Sequence, residues 1–293
     1  MAADIHRWRP PTLHVAPSRH LIDVAGPVAH RFARGGICPL AECHRYGPTF
    51  AARVARLLVQ PPTDDAARHP FLLPTHHMST DQQGLTERVL TKEEQDDLTP
   101  AGVVALLRAG NARFVSGDMT VRNHRAQIRK SVTGQHPKAI VLSCVDSRIP
   151  VEDVFDRGIG DLFVARVAGN FVNVDMLGSM EFACHVSGSK LILVLGHEHC
   201  GAIKAAIDGV ELGNITEMLS KIQPAVEQLS PYDGERSSSN ERFVHDVAER
   251  NVRLNVQRIR DESPILRTLE ANGTIRICGA LYDMDNGRVT ILT

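Results

Sequence analysis

The sequence predicts an α/β fold: a central, mainly parallel β-sheet flanked by helices, with a C-terminal hairpin. Three observations carry that expectation. Short apolar runs such as "KAIVLSCV" (138–145) and "KLILVLGH" (190–197) lack alternation, as strands covered on both faces do. They are interleaved with stretches of helical apolar spacing, which implies right-handed crossovers between parallel strands. The last two β-rich runs flank "DNG" (285–287), a strong hairpin turn signal.

Taken in order, "TPAGVVALLRAGNARFVSGD" (99–118) predicts a helix with Thr99 as N-cap and Pro100 at its first position. Its apolar face runs through Val103, Leu106, Leu107 and Phe114. "KAIVLSCV" is the first strand and "DLFVARVAG" (161–169) the second, followed by a helix "LGSMEFACHVSG" (177–188) ended by Gly188. "KLILVLGH" is the third strand, and a helix "GAIKAAIDG" starts near Gly201. "PYDGERSSSN" (231–240) reads as a polar loop, and "ERFVHDVAERNVRLNVQRIRD" (241–261) as a long helix. "TIRICGALYD" (274–283) and "RVTIL" (288–292) are the strands of the closing hairpin.

This folded region is expected over 84–293, with 1–83 as an N-terminal extension. Residues 1–77 contain Arg but no Lys, repeated Pro and scattered His, the composition of a disordered or loosely packed segment. Within it only "FAARVARLLV" (50–59) has helical spacing. Two other readings of the segment stand beside that one. Arg-rich, acid-poor starts can be organelle transit peptides, though a single Ser argues against it here. Alternatively Met78 is the physiological start. "CPLAECH" (38–44) lacks a second ligand pair at finger spacing and reads as thiols of the extension, not a zinc site.

A formal net charge of -1 gives no reason to expect nucleic acid or an anionic membrane as partner. The longest apolar runs fall far short of the roughly 20 residues a membrane helix needs. Six irregularly spaced cysteines without an export signal suggest metal ligands, nucleophiles or buried thiols in a reducing, cytoplasmic compartment. Cys184 and Cys278 lie inside apolar segments and read as small buried hydrophobes. "GIG" (158–160) is not a dinucleotide loop, because no GxGxxG follows a strand.

Two polar clusters sit at strand ends, where ligands bind in parallel sheets. In the first, Cys144, Asp146 and Arg148 occupy alternate positions and converge on one face if the strand stays extended. In the second, "GHEHCG" (196–201), His197 and Cys200 are three apart and share one side of a helical first turn. Cys144, His197 and Cys200 form a Cys2His set suited to zinc, with the fourth tetrahedral position open as in catalytic sites. Asp146 is then either a fourth ligand or an acceptor for a zinc-bound water. A bidentate Arg148 favours the second role by keeping the carboxylate ionised and turned away from the metal. An open zinc site generates hydroxide near neutral pH. His199 is a packing histidine or a proton shuttle.

"SCVDSRIP", "GDLFVARVAGN" and "VLGHEHCGAI", in that order and spacing, resemble the β-class carbonic anhydrases, over roughly residues 95–293 including "GALYDMDNGRV". The resemblance implies one Zn2+ per subunit held by Cys144, His197 and Cys200, with Asp146–Arg148 as catalytic dyad. It implies attack of zinc-bound hydroxide on carbon dioxide, bicarbonate as product, and a homodimer or multiple of dimers. In the plant-like branch it further assigns Gln135, Phe163 and Phe182 to the substrate pocket, the last replacing a family Tyr and so removing a hydroxyl. Gly201 matches a glycine whose N–H lies near the substrate. Another branch has a bicarbonate-regulated state with Asp on the metal, relying partly on a Trp. The sole Trp here is Trp8, outside the matching region, so the open form is expected near neutral pH. Two rival functions share these residues: a carbon disulfide or carbonyl sulfide hydrolase, and a non-catalytic zinc-stabilised bicarbonate-binding module.

Overall fold

A computed structural model describes residues 85–292, and among them the apolar runs become one five-stranded sheet. The strands are β1 Ala139–Ser143, β2 Leu162–Arg166, β3 Leu191–His197, β4 Arg276–Tyr282 and β5 Val289–Leu292. Their order is β2-β1-β3-β4-β5; the first four are parallel and β5 returns antiparallel to β4. The expected fold class and hairpin are therefore present. The candidate helix 50–59 and the Cys38/Cys43 pair lie outside the described residues.

The helices are α1 Lys92–Asp96, α2 Pro100–Ser116, α3 His124–Ser131, α4 Val151–Val154, α5 Val174–Glu181, α6 Gly201–Ile207, α7 Gly213–Ser220, α8 Gln223–Glu227, α9 Glu241–Glu262 and α10 Pro264–Ala271. Helix α2 matches its expectation closely. The Thr99 hydroxyl accepts from Gly102 N, Pro100 opens the first turn, and Gly117 ends it in the left-handed region at φ 80°. The helix expected over 177–188 instead begins three residues earlier, behind an Asn173 cap. It then widens into a π-helical turn, Phe182–Val186, before Gly188.

Absence of alternation in the central strands has the expected cause. On β1, Ile140 and Leu142 face the larger core with α5, α6, α8 and α9, while Ala139 and Val141 face the smaller one. There they meet Val103 and Leu107 of α2, Val151 and Val154 of α4, and Phe155. Strand β3 splits the same way, Ile192 and Val194 against Leu191, Leu193 and Leu195.

Helix α9 lies against β3 and β4 through a notch that two glycines provide. A β-carbon at Gly279 would come within 2.4 Å of Val252 Cγ1, and one at Gly196 within 2.5 Å of Val252 Cγ2. Under the smaller core, the fully buried Asp156 carboxylate ties three segments together. It accepts from Arg113 Nε at 2.5 Å, Arg122 Nη1 at 2.6 Å and the Thr120 hydroxyl at 2.7 Å. Burial opposes its ionisation, but these donors outweigh it and hold the carboxyl far below the usual range.

The chain leaves β1 toward β2 on one side and returns to β3 on the other. A crevice therefore opens at the carboxyl ends of β1 and β3, the place where such sheets bind ligands. Gly279→Ala should lower stability by about 1–3 kcal/mol through overpacking. Because the clash is with Val252, adding Val252→Ala should cost less in the G279A background than alone, read from urea unfolding midpoints. Simple additivity would show that the notch does not set the helix-to-sheet distance.

Candidate metal centre

Strand β1 ends at Ser143, so Cys144 is the first residue beyond the sheet. This corrects the extended run expected over 144–148, where the chain turns instead, with Ile149 N donating to Asp146 O at 3.3 Å. Convergence here comes from the turn rather than from strand pleating. Asp146 Oδ1 accepts from Arg148 N at 3.0 Å and from Arg148 Nε at 2.9 Å, while Oδ2 accepts from Arg148 Nη2 at 2.7 Å. The guanidinium fork thus holds both carboxylate oxygens, as the bidentate geometry requires. Its hydrogen bond lowers the Asp146 carboxyl to about 2, despite the opposing effect of burial.

His197 closes β3 and Cys200 caps α6, with His199 between them in the left-handed region at φ 54°. The helical turn expected for 197–200 is therefore a strand end followed by a tight bend. The bend has the same outcome. Cys144, His197 and Cys200, all buried, place their ligand atoms within 4.8 Å of one another. Among the described residues this is the one such group, and Asp146 is not in it.

The tautomer of His197 is fixed by its surroundings. Its Nδ1 lies 2.7 Å from Glu198 O, a carbonyl that can only accept, so Nδ1 carries the proton. Nε2 is left as an acceptor, buried and without a partner. An orphaned acceptor beside two thiols fits a divalent cation such as zinc, which takes sulfur and imidazole nitrogen together. The thiols already differ. A hydrogen bond from Cys200, with the Gly169 N–H, outweighs burial and lowers the Cys144 thiol strongly. Cys200 moves upward, as the donor to Cys144 and through burial. A bound cation would complete the deprotonation of both.

Three supports were not anticipated from the sequence. Arg166, at the end of β2, donates to Cys144 O at 2.8 Å and Asp146 O at 2.6 Å, fixing the turn backbone. Gly169 N donates to Cys144 Sγ at 3.3 Å. Arg148 Nη2 reaches His199 O at 3.5 Å, linking the two loops. Arg166 had a signal, a cation at the end of an apolar run.

The remaining expected site residues fall at different distances from this cluster. Gly201 opens α6 beside Cys200, in space that a β-carbon would not crowd. Phe163 and Phe182 meet edge-to-face at 6.2 Å between centroids, in an open cleft of about 750 Å3. That cleft is lined also by Ile140, Ala165 and Met176, and by none of Cys144, Asp146, Arg148, His197 or Cys200. Gln135 is exposed before β1, at the opposite end of that strand from Cys144, roughly 17 Å of strand away. His199 Nε2 is 3.9 Å from Asp285 Oδ1, near the surface. Cys184 and Cys278 are buried apart from the cluster, and burial raises their thiols to about 12 and about 11.

A sequence model of the carbonic anhydrase family matches residues 139–289. Carbonic anhydrase 2 of Mycobacterium tuberculosis is 34% identical over 199 residues, spanning 66% of this chain and 92% of that protein. A carbonic anhydrase of Mycolicibacterium smegmatis is 34% identical over 193 residues, spanning 66% and 93%. Among solved structures, a β-carbonic anhydrase of Aspergillus fumigatus superposes with a TM-score of 0.53 at 23% identity, covering 66% of this chain and 89% of that one. A Coccomyxa β-carbonic anhydrase solved with acetazolamide gives 0.52 at 23% identity, covering 65% and 84%. These two likenesses concern the fold.

Since the folded-state value of Asp146 lies below the unfolded one, its pairing stabilises the fold above about pH 4, and this is lost as pH falls toward about 2. Arg148→Leu should raise the carboxyl and weaken that dependence, the Arg148 N–H bond to Oδ1 remaining. Carboxylate NMR titration reads the change. An unmoved titration in R148L would show that the fork is not what holds Asp146 ionised.

Proposed function

The chain belongs to the β-carbonic anhydrase family, and from that premise we propose that it interconverts carbon dioxide and bicarbonate with one zinc ion per subunit held by Cys144, His197 and Cys200. The observation that carries the metal assignment is the buried, unpartnered Nε2 of His197 beside two sulfur atoms. Zinc with an open position lowers the pKa of a bound water from about 15.7 to about 7.

The chain's own residues manage that water's proton and orientation. Asp146, kept ionised by Arg148, is an acceptor at every working pH, so it takes the hydrogen bond of the attacking oxygen and leaves a lone pair free for the substrate carbon. The same pairing occupies both carboxylate oxygens, which supports the open form, with Asp146 beside the metal and not on it, near neutral pH. The Gly201 N–H, at the start of α6, donates to a substrate oxygen. His199, at the mouth of the bend, passes the proton outward.

Carbon dioxide needs an apolar contact, and Phe163 and Phe182 offer one with an edge-to-face aromatic wall. Within one chain they and Gln135 stand off from the cluster, so we place them in the substrate pocket of a homodimer or a multiple of dimers, where a second copy supplies them. The catalytic domain is taken as 84–293, with 1–83 an extension, in a cytoplasmic protein. Among the described residues no helix is long and apolar enough to cross a membrane.

Stopped-flow hydration assays on the zinc-loaded protein test the reading. Asp146→Ala should reduce kcat/KM by roughly 10²-fold or more while retaining zinc; Cys144→Ser should lose the metal by elemental analysis, and a chelator should abolish activity. Full activity in D146A would remove Asp146 from the mechanism. Turnover of carbon disulfide in place of carbon dioxide would assign the hydrolase function, and zinc binding with neither turnover would leave a binding module.

A further inference from the structure

We propose that Asn251 and Asn255 are positioning residues for the Cys144 thiolate, acting through the loop that follows β2. This rests on the reading of Cys144 as a metal ligand. Both asparagines lie on the buried stripe of α9, one turn apart, among Val244, Val247, Ala248, Val252, Val256 and Ile259. Each is 1% exposed. An amide there is unfavourable unless its hydrogen-bonding groups find partners, and the partners these two find lead to the metal centre.

Asn251 Nδ2 donates to Gly169 O at 2.8 Å, and Asn255 Oδ1 accepts from Val172 N at 2.8 Å. The loop is thus held at two points three residues apart. Asn255 Nδ2 also donates to Asn251 O at 2.8 Å and Asn251 Oδ1 at 3.0 Å. That second bond sets which end of the Asn251 amide is which. With Oδ1 occupied as acceptor, Nδ2 faces Gly169. Gly169 in turn directs its own N–H to Cys144 Sγ.

The loop backbone gives this clamp something to resist. Gly169 and Asn170 sit consecutively in the left-handed region, at φ 80° and 41°, and a β-carbon at Gly169 would lie 2.3 Å from Ile222 Cδ1. Asparagine tolerates that conformation better than other side-chain-bearing residues, but it still costs more than extended or right-handed backbone, so two consecutive left-handed residues gain from being held. Without the clamp the loop relaxes and the Gly169 N–H leaves the sulfur. The thiolate then loses a hydrogen bond that draws off electron density and fixes its orientation.

The test uses the full chain loaded with cobalt(II) or zinc. In Asn251→Leu and Asn255→Leu the thiolate-to-cobalt charge-transfer band should move to lower energy. Zinc transfer to a chromophoric chelator should quicken by about tenfold or more, in line with lost support around a metal ligand. Asn111→Leu is the control for plain destabilisation. Asn111 is also buried, donates to Val154 O and Gly287 O and accepts from Val289 N, but its bonds lie on α2 and do not approach Cys144. It should lower the melting temperature and leave the band in place. Should Asn251→Leu fail to fold, Asn251→Ser removes the reach to Gly169 without steric demand and should show the same shift. A band that stays put in the Asn251 and Asn255 variants, or that moves equally in N111L, overturns the proposal alone. An unaltered protein that takes up no cobalt on its thiols overturns the metal reading and the proposal together.

Discussion

Everything in this site depends on two neighbouring parallel strands whose chains leave in opposite directions. Because β1 passes to β2 on one side and β3 onward to β4 on the other, no crossover covers the crevice between their carboxyl ends. Both faces of those strands are filled by apolar packing, which leaves their ends as the place where polar side chains meet each other and solvent. Cys144 from one strand end and His197 from the other are adjacent for that reason, though they are far apart in sequence.

Around that crevice, short-range and long-range contacts divide the labour. The Asp146–Arg148 pair closes within three residues and needs only a turn, so it orders few groups for each bond it makes. Bringing sulfur, nitrogen and sulfur together is non-local, and the orienting groups come from β2, the loop after it and α9. When their bonds are counted, most buried polar atoms near the crevice are satisfied. Ser143 Oγ, Asn170 Nδ2 and His197 Nε2 are left without partners there, and of these His197 Nε2 belongs to the group of two thiols and an imidazole that could hold a cation.

Much of this was legible in the sequence, for physical reasons that differ between parts. The unbroken apolar runs announced a two-sided sheet, and Thr99–Pro100 with Gly117 announced α2, because cap chemistry is local. The thiol and imidazole set was visible because those residue types at strand ends have few other uses. What the sequence did not disclose was backbone path. Alternation at 144–148 suggested an extended run, yet the chain turns, because the Asp146 carboxylate accepts the Arg148 N–H and competes with the ladder. Short helices such as α4 and α8 escaped because one turn of helix carries no periodicity. Asn251 and Asn255 did carry a signal, two amides on an otherwise apolar stripe, but their purpose required knowing which loop lies opposite. Separation of Phe163 from the cluster follows from its place as second residue of β2, at the amino end of a strand parallel to β1 and β3, whose carboxyl ends carry the cluster.

The glycine notch under Val252 bears on how this fold can vary. Val252 sits next to Asn251, so the depth at which one valine seats between two strands also sets how far a neighbouring amide reaches toward the loop behind Cys144. Added bulk at either glycine would act on the amide-to-carbonyl distance of the adjoining Asn251, on the same buried stripe of the helix. The chain therefore has a mechanical gauge in its interior. Even the polar loop 231–240 is tied to this helix, through Tyr232 edge-on to Phe243 and Asn240 at the helix N-cap, but a methyl group added at Gly196 or Gly279 acts closer to the sulfur.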